Sequence, residues 1–258
     1  MRQSSFQKPG ARSSRRSMIK STVVGVAGLG AVAGLAAGGV ALTQQHSNEA
    51  AHAAAVPMAT SPDSIQTILN IAVTAEHLAV AFYTQALNNA NQLGFGNAAR
   101  LDLKAALIEE QLHALFLTKQ GAKPVTNTFS FPHGKNTFRD FNTFIQTQQL
   151  LETLFVAAYI VAAKEFAMLN RPDLVQIAGQ IGTVEAEHRV LGRALGALRP
   201  INNHVFSPIV VQKVSDAATV LKKQGFLTPV KNNSFTYQQV NTNSEDIIIR
   251  MPTDLSWT

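Results

Sequence analysis

Two short stretches share a spacing suited to metal chemistry: Glu110-Gln-Leu-His113 and Glu185-Ala-Glu-His188. On a helix, residues i and i+3 lie on one face, roughly 5–6 Å apart at Cβ, so each pair can grip one ion. Two further acids each stand alone in an apolar stripe at helical spacing. Around Glu76 the same-face residues are Leu69, Ala72, Val73, Ala79 and Val80. Around Glu152 they are Ile145, Phe155 and Val156, with Gln148 and Gln149 a turn earlier. The intervals match: Glu76 to Glu110 is 34 residues and Glu152 to Glu185 is 33. Two helical hairpins with one layout point to an internal duplication. Packed together, they would set four carboxylates and two imidazoles around one point. Burying even a neutral polar group without a partner costs roughly 2–7 kcal/mol, and a lone carboxylate costs more. Two divalent cations would offset all four charges. A single Glu-x-x-His is usually a surface pair, and a lone buried Glu is usually salt-bridged. The order Glu, Glu-x-x-His, Glu, Glu-x-x-His, each on its own helix and mid-stripe, favours a metal site over either.

Other polar residues fall near this set. Tyr83 follows Glu76 by seven residues, and Tyr159 follows Glu152 by seven. Seven residues are two turns, about 10 Å along the axis on the same face. These tyrosines either hydrogen-bond to groups beside the ligands, carry electrons near them, or simply pack in the core. His77 is offset by about 100° from Glu76, so it is expected beside the ligands rather than among them. Glu109 and Glu187 are similarly offset, and solvated or supporting roles suit them. His133 and His204 lie in loop-like stretches and receive no role.

The elements that must position these residues are helices. Ser61-Pro62 reads as a cap followed by Pro at the first helical position, and apolar residues recur at helical spacing through Leu87. A second helix spans Asn97 to Gln120 and stops at Gly121. After a loop with Pro124, Pro132 and Gly134, Thr137 and Asp140 suggest a cap for a third, running to Asn170. Pro172 opens a fourth, which ends by Arg199-Pro200. Long helices, short links and one longer crossover describe an all-α four-helix bundle over residues 60–199. No segment there alternates like a strand. The third helix is apolar almost all round from Leu150 to Ala163. It is therefore expected to face a second copy in a homodimer or to lie beneath the tail. Residues 200–258 form that tail, rich in Asn, Ser, Thr and Pro, with one short helix expected near Val211 to Gln224 and short stretches such as Asp246 to Arg250 open to an extended form.

Composition narrows the classes. The 258 residues include no Cys, which excludes disulfides, thiolate metal sites and Cys nucleophiles. The net charge of +6 is concentrated at the start of the chain. Residues 1–53 hold six basic residues (Arg2, Lys8, Arg12, Arg15, Arg16, Lys20) against Glu49 alone, leaving 16 basic and 15 acidic residues beyond them. The body is near neutral, with no nucleic-acid footprint. A basic start, a Gly/Ala/Val run from Thr22 to Thr43 and a small-residue site at Ala51-His52-Ala53 make residues 1–55 a secretory signal with a short linker. Arg15-Arg16 followed by Ser17-Met18-Ile19-Lys20 resembles a twin-arginine signal. An uncleaved membrane anchor is the alternative, since about 20 apolar residues can span a bilayer. Gly28-Leu29-Gly30 with Ala33 mimics a dinucleotide fingerprint, but no strand precedes it.

The ligand set is that of ferritin-like di-iron and di-manganese carboxylate bundles. The stretches ILNIAVTAEHLAVAFYTQAL, ALIEEQLHALFL, FIQTQQLLETLFVAAYIVAA and IGTVEAEHRVLG resemble the four helices of exported ferritin-like proteins, a group that includes desiccation-related proteins. The resemblance covers residues 62–199. It implies two metal ions, iron or manganese. Glu76, Glu110 and His113 would serve one, and Glu152, Glu185 and His188 the other. Glu110 and Glu185 would bridge, with Glu76 and Glu152 terminal. It also implies redox chemistry with O2 or peroxide in stress protection, ferroxidase-like or manganese-catalase-like, after passage through the twin-arginine export machinery. A metal-stabilised structural or binding protein without turnover is the second expectation. The long tail departs from storage ferritins, and the missing Cys removes the rubredoxin-type site of rubrerythrins.

Overall fold

The structure, a computed structural model, describes residues 61–250 and Pro252. The export signal expected in residues 1–55 lies outside the described residues. Four long helices dominate: α1 (Ile65–Asn88), α2 (Asn97–Lys119), α3 (Phe141–Met168) and α4 (Pro172–Leu195). At 1.5 Å per residue they run about 35–42 Å. The all-α bundle expected from the periodicity is the fold.

The helix ends show which local signals acted. The cap of α1 is Ser64 rather than Ser61: its side chain accepts from Thr67 N at 3.1 Å. Pro62 and Asp63 stay outside the helix because Asp63 bonds elsewhere, its N–H to Glu165 and its carboxylate from Ser215 N. At the end of α2, Gly121 takes φ +90°, a conformation that suits a residue without Cβ. Ala122 N–H then reaches back to Leu117 O at 3.1 Å. Asp140 caps α3, accepting from Thr143 N at 2.7 Å. Thr137 lies instead in a short 3-10 turn, Gly134–Phe138. Pro172 opens α4, as its fixed φ and missing donor favour.

The helices pair mainly as hairpins, α1 with α2 and α3 with α4. Their apolar faces meet in one core that includes Val73, Leu78, Phe82, Leu103, Phe144 and Leu151. Phe82 stacks on Phe144 with ring centroids 5.0 Å apart. α1 is long and apolar enough to cross a membrane by length and composition. Burial of Ile68, Val73, Leu78 and Phe82 inside the bundle accounts for that apolarity.

The tail wraps the bundle. Its helix α5 (Val214–Lys223) lies on α1 and α3 and buries Val214, Ala217 and Leu221. This cover explains why α3 is apolar nearly all round, although Ile160 stays 45% exposed. Glu165, fully buried on α3, accepts from Asp63 N and Val214 N at 2.9 and 3.0 Å and ties the segment just before α1 to α5. Further on, β2 (Phe235–Thr236) pairs antiparallel with β1 (Thr128–Phe129) in the α2–α3 loop. Strands of two residues are too short to reveal themselves by alternation, which is why the sequence showed none.

Candidate metal centre

Each bundle helix brings its polar residues to one level of the core. α1 supplies Glu76, α2 Glu110 and His113, α3 Glu152, and α4 Glu185 and His188. Five of the six are buried, and His113 is partly exposed, with 15% of its side chain accessible. The structure therefore brings together all six residues singled out from spacing.

They form two overlapping groups. In Glu76, Glu110, His113 and Glu185, one ligand atom from each residue lies within 4.8 Å of the others. The same holds for Glu110, Glu152, Glu185 and His188. Glu110 and Glu185 belong to both because each divides its oxygens. Glu110 turns Oε2 toward His113 Nδ1 at 3.8 Å and Oε1 toward His188 Nδ1 at 2.9 Å. Glu185 turns Oε1 toward His113 Nδ1 and Oε2 toward His188 Nδ1, both at 3.5 Å. Glu76 Oε2 stands 3.4 Å from His113 Nδ1.

These donors face one another at ion-pair distance but without hydrogen-bond geometry. Glu76 Oε2, both oxygens of Glu110 and of Glu185, Glu152 Oε2, His113 Nδ1 and His188 Nδ1 are all buried and make no hydrogen bond. Buried polar atoms are rarely left so, and eight from six residues around one point call for a shared partner. Two donors about 2.1 Å from one ion, at angles near 90–110°, sit about 3.0–3.4 Å apart. Most of the imidazole–carboxylate separations, 2.9–3.8 Å, lie near that range. Carboxylate and imidazole donors suit divalent metal ions. The residues fit a pair of metal ions.

Electrostatics agree. Burial, with the neighbouring Glu110 and Glu185 charges, holds the Glu76 carboxyl well above the usual range. Burial does the same for Glu152, offset in part by His188. Burial alone would lower both imidazoles, yet the surrounding carboxylates hold His113 and His188 well above the ordinary histidine value. Burial would likewise raise Glu110, but His188 and His113 pull it below the usual carboxylate range. Without a cation, protons must supply the positive charge that the site lacks.

The supporting residues cross between hairpins. Tyr159 of α3 donates to Glu76 of α1, and Tyr83 of α1 donates to Glu152 of α3. Each tyrosine thus holds a carboxylate on the opposite helix, two turns from the acid on its own. Burial and these carboxylates keep both phenols protonated, with pKa values well above 10. Glu109 accepts from His188 Nε2 at 2.8 Å, which turns Nδ1 toward the centre. His77 takes no such place. Its Nδ1 lies 2.7 Å from Asn127 Oδ1, and its ring stacks on Tyr237 at 3.6 Å, so it anchors loop and tail. Its offset of one residue from Glu76 turns it off the bundle axis.

Gln148 had no assigned role in the sequence, although it shares the face of Glu152. Its Nε2 donates to His188 O at 2.7 Å and to Tyr83 Oη at 3.2 Å. Gln149 Nε2 donates in turn to Gln148 Oε1 and Arg189 O. Gln111, fully buried, accepts from Val240 N at 2.9 Å and bonds Tyr237 Oη, pinning the tail to α2. A Gln in an apolar stripe was the available signal for both.

No curated protein and no solved structure matches the chain. The ferritin-like domain family does, over residues 64–197, a span that begins at the α1 cap and ends just beyond α4. With more than half the chain matched and a buried Glu/His cluster at the centre of the matched bundle, this protein belongs to the ferritin-like domain family.

Proposed function

We propose that this is an exported ferritin-like protein whose six residues hold two iron or manganese ions for redox chemistry with O2 or peroxide. The observation that carries the reading is the set of eight buried donor atoms without hydrogen-bond partners, divided into two groups that share Glu110 and Glu185. Glu76, Glu110, His113 and Glu185 would hold one ion, and Glu110, Glu152, Glu185 and His188 the other. Bound iron or manganese would supply paired redox equivalents, ferroxidase-like or manganese-catalase-like, in stress protection. The chain's own residues set the surroundings. Tyr159 and Tyr83 fix the terminal carboxylates, Glu109 fixes the His188 ring, and all but His113 of the six are buried. Phenolic protons sit within hydrogen-bond reach of Glu76 and Glu152, where they can compensate changes in carboxylate charge. The twin-arginine pattern supports export of the folded, metal-loaded protein to the periplasm, cell envelope or exterior, released or anchored through its signal. A homodimer would be joined where Ile160 of α3 stays exposed.

A second reading is favoured by one observation. The two hairpins meet across the six-residue cluster, so metal would tie them together even without turnover. In that reading the protein is a metal-stabilised structural or binding protein of the desiccation-related type. Metal analysis of the natively exported protein tests the shared premise. Two ions per chain are expected, and the Glu110→Ala, Glu185→Ala double variant should lose both. Full metal content in that variant refutes the ligand assignment. Oxygen uptake or peroxide loss by the loaded protein selects the redox reading, and no turnover with either oxidant selects the structural one.

A further inference from the structure

A cavity of about 380 Å3 lies between α2 and α4 and beneath the tail, and it reaches His113. Small-molecule sites run from about 300 to 1,000 Å3, so its size suits one small organic ligand. Leu112, Phe116 and Val184 wall one part of it, and Ile247, Ile248 and Ile249 form the roof. Pro252 O accepts from Gln176 and Gln180 Nε2 at 3.1 and 3.0 Å, which pins the roof to α4. Ile248 and Ile249 remain 79% and 51% exposed, so the roof does not close on itself. Three successive isoleucines laid over an apolar groove leave apolar surface that an occupant would cover. Lys119 and Arg250 offset Glu109 and Glu187 around the lining, so His113 apart, the formal charges of the wall cancel.

The two halves of the centre differ in the same place. Glu109 precedes Glu110 and bonds the outer nitrogen of His188, whose side chain is only 3% accessible. Val184 holds the corresponding position before Glu185, and it lines the cavity beside His113. One imidazole is thus backed by a carboxylate, and the other is backed by an apolar chamber.

We propose that this chamber binds a small, uncharged, chiefly apolar organic molecule and presents it to the His113 side of the metal centre. The chamber itself stands apart from the metal reading, and only the presentation to the centre rests on it. The test uses N-phenyl-1-naphthylamine, an uncharged fluorophore, with the full chain in metal-free form. Saturable binding of one probe per chain, displaced by 1-decanol, is expected. Val184→Trp and Ile177→Trp, each filling the chamber, should weaken binding about tenfold or more. Phe206→Ser, exposed and not part of the lining, should leave it unchanged. Far-UV circular dichroism and melting establish that each variant folds, and either Trp variant suffices. Non-saturable binding, or equal affinity in the folded Trp variants, overturns the proposal. So does binding that arises only after residues 253–258 are removed, since the chain itself would then occupy the space. In protein loaded with Co(II), 1-decanol should shift the visible spectrum of the ion. Decanol bound without a shift overturns the placement beside His113. Failure to bind Co(II) at all refutes the metal centre, while the fluorescence still decides the chamber.

Discussion

Gly192 offers the sharpest test of how the centre is supported. A Cβ built there would lie 1.7 Å from Gln148 Oε1 and 2.3 Å from its Cδ, so Gly192→Ala must expel the Gln148 amide. That amide is 1% exposed and has no solvent to move into. Its bonds to His188 O (2.7 Å), Tyr83 Oη (3.2 Å) and from Gln149 (2.7 Å) would all be lost. At about 0.5–1.5 kcal/mol each, with buried groups left unpaired, the loss is roughly 2–4 kcal/mol. The helix gains about 1 kcal/mol from replacing Gly by Ala. The net is about 1–3 kcal/mol of destabilisation, or roughly 3–10 °C in Tm for a domain of this size. Gly179 is the control on the same helix. Nothing lies within 4 Å of its built Cβ, so Gly179→Ala should stabilise by about 0.4–1 kcal/mol. Thermal unfolding of both metal-free variants reads the difference in sign. In a Gln148→Ala background, Gly192→Ala should lose most of its cost, because the clash is gone. If Gly192→Ala matches Gly179→Ala and raises Tm in the wild-type background, the packing of Gln148 against α4 is wrong.

Three further outcomes are expected. In the metal-free protein Glu76 and Glu152 are held above 4.5, and His113 and His188 above 6.5, so the folded state keeps protons that the unfolded chain releases above those values. Their stabilisation is fully present below those values and declines as pH rises through the folded-state values, so metal-free Tm should be lower at about pH 8 than at about pH 5.5. Glu110, held low, acts oppositely and adds stability that is lost only in acid. The Tm gain on adding Mn(II) should be larger at the higher pH, because protons no longer compete for the donors; an equal gain at both would contradict the proton-filled site. Tyr159→Phe removes the only hydrogen bond to Glu76 Oε1 among the described residues and should cost about 1–3 kcal/mol in denaturant melts of the metal-free protein. Tyr237→Ala removes the stack on His77 and the bond to Gln111, roughly 2–3 kcal/mol of tail attachment. Limited proteolysis should then cut the tail faster while metal content is retained, and an unchanged cutting rate would mean that the clamp does not hold the tail.

The clustering of the six candidate residues was legible because each signal is local. An i, i+3 spacing places Glu110 with His113 and Glu185 with His188 on one face whatever the helix packs against. Apolar periodicity then points that face inward, which also made the four helices and their order readable. Pro172 and Asp140 marked two starts for similarly local reasons, while Ser61 misled because Asp63 is engaged by residues more than 100 positions away. Tertiary structure decided what local spacing cannot. Helix phase and the approach of the hairpins determine that Glu110 and Glu185 each face both imidazoles. The same approach sends each tyrosine to the opposite helix's carboxylate, and it gives Glu109 to His188 while leaving His113 beside a cavity. His77 shows the limit most clearly: one residue from Glu76 in sequence, it is turned away by about 100° of helix and serves the tail. The tail carries little periodicity of its own, so its course is set by contacts such as Glu165 with Val214 and Gln111 with Val240. Residue type and helical period are properties of a segment, whereas a partner more than 50 residues away is chosen only when segments pack.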